Sequence, residues 1–175
     1  MTCPKRVAPL AAIVLLVALG GVQAEQEPPE FLRAFARSLM AAPANPGSEA
    51  GRSHVPVYSS VMAGGGKTKV DFAVTLSIHN TSGRDPLVVS RINYHETSGA
   101  LIQSYLMEPI ALRPYGTIQI VVAQDDMRGG LGANFVVDWQ NRNPGAEPAI
   151  EAVMIANIGT QSFSFLSPAR RVSRD

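Results

Sequence analysis

The chain has 175 residues, with 15 lysines and arginines against 14 acidic residues, for a formal net charge of +1. That length suits one domain with a good core, and a charge so near zero excludes the basic footprint of a nucleic-acid-binding protein. The only cysteine is Cys3, so internal disulfides and thiolate metal clusters are excluded as well.

The chain opens on MTCPKR, a short basic start, followed by VAPLAAIVLLVALGG, an apolar run too short for a comfortable membrane span. Val22-Gln23-Ala24 is a small-residue exit of the A-x-A kind. Together they predict a secretory signal peptide over residues 1–24, cut after Ala24, with an uncleaved anchor as the alternative that the cleavage signal disfavours. The expected protein is exported, periplasmic or secreted, with no transmembrane segment after cleavage. Lys5-Arg6 is not a twin arginine, which favours the general secretory route. Cleavage removes Cys3 and two of the 15 basic residues, leaving 13 against 14 acidic ones and no thiol.

Residues 25–53 read as a flexible arm. EQEPPE and AAPANPGSEAG are rich in Pro, Ala, Gly and Glu. Between them Phe31, Phe35 and Leu39 fall at i, i+4 and i+8, with Leu32 beside them, which suits a short amphipathic helix. A helix this short is marginal alone, so the arm is expected to be dispensable for folding. The sharper alternative is docking onto a partner or a membrane surface.

GGGKT, residues 64–68, looks like the end of a phosphate-binding loop, but Val61 stands where the first glycine belongs. No helix follows to cradle a phosphate. Instead Val70, Phe72, Val74, Leu76 and Ile78 fall on every second residue, the period of a half-buried strand. The three glycines therefore read as a turn, and no nucleotide is expected.

From His54 onward the chain alternates strands with turn chemistry. HVPVYSSVM, KVDFAVTLSIHN, LVVSRINYHE, LIQSYLM, TIQIVVA, ANFVVDWQ, AIEAVMIANI and TQSFSFL are the strand candidates. Asn80–Gly83, Thr97-Ser98-Gly99, Arg113–Gly116, QDDMRGGLG and Asn143-Pro144-Gly145 divide them. Turns about every ten residues, with no helix of useful length between, predict an all-β fold. We expect a single antiparallel β-sandwich over residues 54–166, immunoglobulin-like, of about seven or eight strands. Residues 167–175, with Arg170, Arg171 and Arg174, are expected to be a solvated basic tail.

SHVPVYSSV, VTLSIHNTS, INYHETSGALIQSYL, EPIALRPYGTIQIVV, GGLGANFVVDW and EPAIEAVMIANIG, in this order, resemble a bacterial family of exported proteins catalogued only as a domain of unknown function. The resemblance covers residues 54–166 and implies location and a single β domain, with no activity to carry over. A looser likeness is to extracytoplasmic immunoglobulin-like modules.

Candidate sites are few. His54, His79 and His95 have no spacing that brings two imidazoles together, and Met62, Met107, Met127 and Met154 are scattered. No metal site is expected, since ligation needs convergent donors. No G-x-S-x-G elbow is present, and Ser59, Ser60 and Ser90 read as solvent-facing strand polarity. The loop QDDMRGGLGAN offers Asp125, Asp126, Gly129, Gly130, Gly132 and Asn134 as binding candidates, because glycine-rich backbone can form an anion nest. The competing role for those glycines is conformational.

ANFVVDWQ and AIEAVMIANI, joined by a short loop, are expected to form a hairpin. Pairing Trp139 with Ile150, Val137 with Ala152 and Phe135 with Met154 keeps the apolar faces together. Asp138 then opposes Glu151, and a cation, an arginine such as Arg91 or Arg113, or a shared proton must relieve the repulsion. The pair is either a structural ion-pair centre or the acidic core of a site. The leading function is an exported non-catalytic module that binds a protein or a cell-envelope component, without cofactor or catalytic residues. A hydrolase using carboxylates, or a periplasmic metal or small-ligand carrier, is the alternative. A convergent polar pocket favours the alternatives, and a flat exposed edge or apolar patch favours the module.

Overall fold

The structure is a computed structural model that describes residues 29–174. The predicted signal peptide lies outside the described residues. Within them no helix is long and apolar enough to cross a membrane.

Thirteen strands are present among the described residues: β1 (Leu39–Met40), β2 (Glu49–Pro56), β3 (Ser60–Ala63), β4 (Thr68–Asp71), β5 (Ala73–His79), β6 (Leu87–His95), β7 (Leu101–Ser104), β8 (Ile110–Leu112), β9 (Thr117–Val122), β10 (Asn134–Asn141), β11 (Ala149–Ile158), β12 (Gln161–Pro168) and β13 (Arg170–Val172). One sheet has the order β1-β8-β6-β10-β2-β13, with β7 also on β6, and the second has the order β12-β11-β5-β9. A separate hairpin joins β3 to β4. The paired strands are antiparallel and the two large sheets are not closed into a barrel, an all-β arrangement of the sandwich kind.

Strand alternation builds the core between the sheets. Val55, Ile92, Tyr94, Phe135, Val137 and Trp139 come from the first sheet, and Val74, Leu76, Ile78, Ile118, Ile120, Ala152 and Met154 from the second. The strand count exceeds the expected seven or eight because two long runs change partner part-way and the short strands β1, β8 and β13 add to them. KVDFAVTLSIHN breaks at Phe72, whose backbone N–H donates to the Ser59 carbonyl, so its first part pairs with β3 and its second joins the four-stranded sheet. Gly64, Gly65 and Gly66 turn β3 into β4 at φ +56°, +68° and +83°, a region glycine enters cheaply.

Three expectations need correction. The described part of the expected arm, residues 29–53, is not simply an arm. A short helix α1 (Glu30–Arg33) carries Leu32, which is fully buried in the core, and Phe31, Phe35 and Leu39 pack against it. β1 pairs with β8, and β2 begins at Glu49 rather than at His54. The apolar stripe that could not hold a helix by itself is held by the sandwich it covers. Second, the basic tail is ordered: Ser167 and Pro168 end β12, and Arg170–Val172 pair with β2 as β13. Third, β10 and β11 form no hairpin. β10 lies between β2 and β6, β11 between β5 and β12, and the connection between them crosses from one sheet to the other. Alternation told which face each strand buries, but both sheets bury the same kind of face.

Candidate functional site

The glycine-rich loop is a largely exposed connection with internal hydrogen bonds. Asp126 caps a turn of 3-10 helix over Met127–Gly129 by accepting from the Arg128 backbone N–H, and its carboxylate also takes two bonds from the Arg128 guanidinium. Those bonds hold its pKa below the ordinary carboxylate value against the opposing effect of partial burial. Thr97 fastens the rest, since its hydroxyl donates to the Gly129 carbonyl at 2.9 Å and accepts from the Gly132 N–H at 2.9 Å. Gly130 sits at φ +72°. Asp125 is exposed, and Asn134 starts β10 opposite Pro56 and His95. These residues share a neighbourhood, but the Gly129 carbonyl and the Gly132 N–H are spent on Thr97.

Gly129 has a further constraint. A methyl group there would lie 1.9 Å from the Tyr94 hydroxyl, 2.7 Å from Ala133 Cβ and 2.8 Å from Ser59 Oγ. Tyr94 is fully buried, its hydroxyl bonded to Ser59 at 2.8 Å and its pKa raised by burial. Gly129→Ala is therefore expected to cost about 2–3 kcal/mol, the upper part of the range for overpacking. Thermal or urea unfolding checks this, and a cost below about 0.5 kcal/mol, the scale of an ordinary surface change, would show that the loop yields.

Asp138 and Glu151 are not brought together. Glu151 lies on the other sheet, between Ser77 and Pro168. Asp138 is only 2% exposed and faces Arg52 on one neighbouring strand and Arg91 on the other. Arg52 Nε reaches Oδ1 at 2.7 Å and its Nη2 reaches Oδ2 at 3.2 Å, while Arg91 Nε stands 3.3 Å from Oδ2. Arg91 is thus one of the two arginines considered. Arg113 instead donates to the Leu39 carbonyl and anchors β1. Among the described residues, Asp138 thus sits between Arg52 and Arg91 in an ion-pair row on the outer face of the larger sheet.

Ser59, Ser60, His79 and His95 are also engaged. Ser59 and Ser60 are fully buried rather than solvent-facing, bonded to Tyr94 and Asp71 respectively. A buried hydroxyl without a partner is costly, which explains both bonds. His79 bonds Thr117 at 2.9 Å and His95 the Gly99 carbonyl at 3.0 Å. Among the described residues no group of three or more His, Cys, Asp or Glu could hold a metal.

At the end of β10, Trp139 lies flat on Gly51, where a methyl group would sit 2.2 Å from its ring. Its indole N–H donates to Ser53 at 3.0 Å. The Arg171 guanidinium stacks 5.3 Å from the ring centroid and is itself held by Glu49 and Glu147. This explains why β13 is ordered: its arginine closes the core over the tryptophan.

An open apolar feature lies at the edge of the smaller sheet. β12 is the edge of the four-stranded sheet, and no backbone hydrogen bond is described on the free side of its residues 161–166. Phe163, Phe165 and Leu166 are exposed. Beside that edge lies a cleft of about 430 Å³, lined by Val61, Ala63, Val70, Phe72, Phe163 and Phe165 among others. Phe165 packs edge-on against Phe72 at 5.2 Å. The signal for this feature was in the sequence, because QSFSFLSP has alternating apolar residues and no charge. What the sequence lacked was the strand's place in the sheet.

No curated protein matches this chain. A crystal structure of Thermotoga maritima 1070 is similar to it at a TM-score of 0.44 and 7% identity, covering 69% of this chain and 92% of that one. Neither result bears on the immunoglobulin-like likeness. A family model matches residues 50–172, which span most of the described fold, and the chain belongs to the family it describes, "Protein of unknown function (DUF3124)".

Proposed function

We propose that this protein is an exported, non-catalytic binding module that takes up an extended segment of a partner polypeptide, in the cell envelope or outside it, along the free edge of β12. The observation that carries this reading is the contrast between β12 and the other sheet edges. β1 and β7 are two and four residues long, β13 presents Arg170 and Arg171, and β9 has α1 packed beside it. Short edges, charges and coverage are the usual devices against unwanted pairing. β12 has eight residues, no charge and an apolar cleft alongside. That combination suits strand addition, in which backbone bonds supply affinity and a pocket receives alternate side chains.

Export rests on the basic, apolar and small-residue sequence of residues 1–24. The hydrolase alternative has less support, since Asp138 is neutralised by two arginines and Glu151 lies on the other sheet.

Amide hydrogen exchange on the exported protein, with and without envelope extract, tests the reading. Amides within 161–167 should gain protection on addition of extract or on raising the protein concentration, and Phe163→Asp should abolish that gain. Protection that appears only elsewhere, or is insensitive to Phe163, would overturn it.

A further inference from the structure

We infer that the segment paired to β12 is the β12 strand of a second copy of this chain, antiparallel and centred on Ser164. This deepens the binding reading above and rests on it. A strand that pairs with its own copy about a twofold axis opposes each residue to one at the mirrored position. Centring the axis on Ser164 opposes Phe163 to Phe165, Ser162 to Leu166 and Gln161 to Ser167. The opposed residues then share a face, as the two-residue period of a strand requires.

The faces match the environment. Phe163 and Phe165 sit opposite Ala156 and Met154 of β11, both core residues, so their side of the strand is the inner one. The inner rings of the incoming strand would therefore enter the cleft against Val61, Ala63 and Val70. Ser164 and Leu166 oppose Ile155 and Val153 on the outer side, where Ile155 and Leu166 are both about half exposed. Two copies thus extend one sheet and fill two equivalent clefts.

Charge selects this occupant. A self-pairing strand opposes like to like near its axis, so any charge there repels its own copy. The segment from Gln161 to Pro168 carries none. The edge β13, in contrast, would bring arginines against arginines.

The test uses the exported protein with Ser164 substituted, an exposed position outside the core. Sedimentation of the wild type over a concentration series should give a monomer–dimer equilibrium. Ser164→Lys and Ser164→Glu should each weaken the dimer about fivefold, and an equimolar mixture of the two should restore it as a heterodimer. Ser164→Cys combined with Cys3→Ser should form a disulfide-linked dimer under mild oxidation, because opposed Cβ atoms are about 5 Å apart. A wild type that stays monomeric at its highest soluble concentration overturns the inference. So does a dimer indifferent to the charge at 164. If β12 amides are still protected by envelope extract in either case, a different polypeptide occupies the edge and the proposed function stands. If they are not, both readings fail.

Discussion

Replacing Asp138 by alanine is expected to destabilise the fold by about 3 kcal/mol, the low end of the range for removing one partner of a buried ion pair. The cost comes from the arginines left behind. The Arg52 side chain is 20% exposed and holds Asp138 through two bonds, so its charge would be left partly desolvated. Arg91 is half exposed, and water screens it, so it adds less. Asp138→Asn, which keeps the shape, should cost less than alanine but lose the charge-dependent part.

That part has a definite pH dependence. Burial pushes the Asp138 carboxyl up, but the hydrogen bond and charge of Arg52, with the charges of Arg91 and Arg174, outweigh it and leave the pKa lowered. A lowered folded-state pKa means that the unfolded chain binds the proton first as pH falls. The contribution is therefore complete above the ordinary aspartate value of about 3.9 and is lost as pH drops from there through the folded value. Urea midpoints of wild type and Asp138→Asn should differ at pH 7 and converge below about pH 4. A difference that stays constant from pH 7 to pH 3 would falsify the ion-pair account and leave a packing effect.

Leu32→Ala is expected to cost about 2–5 kcal/mol, the range for a fully buried leucine. Leu32 is 0% exposed, yet it lies on a four-residue helix far in sequence from the sheets it packs against. A chain shortened to begin at Glu49 should lose more, because it also gives up Phe31, Phe35 and Leu39 and the β1–β8 pairing. Urea denaturation measures both. With a slope of about 2 kcal/mol per molar for a domain of this size, the leucine variant should lower the midpoint by about 1–2.5 M. A shortened chain within about 1 kcal/mol of the full one, an ordinary surface effect, would mean that the segment docks without stabilising.

The sequence alone determined the all-β class and the positions of most strands. Both follow from local rules: a period of two for a half-buried strand, and turn residues such as Gly64–Gly66 that reach positive φ. It also placed Phe135, Val137 and Trp139 on an inner face, because apolar alternation is a property of one strand. Which strand lies beside which was decided only in the tertiary structure. Asp138 took Arg52 and Arg91 as partners instead of facing Glu151, since alternation encodes a face and not a neighbour. A register shift between Asp138 and Trp139 on the β6 side adds an irregularity that no periodic pattern announces. β1, β8 and β13 were illegible for a related reason, as runs of two or three residues have no period to read. Leu32 looked like part of a marginal helix because nothing within residues 25–53 could bury it, and the groups that do so come from elsewhere in the chain. Burial of that kind, like the exposure of the β12 edge, belongs to the assembled sheets and is absent from any short stretch of sequence.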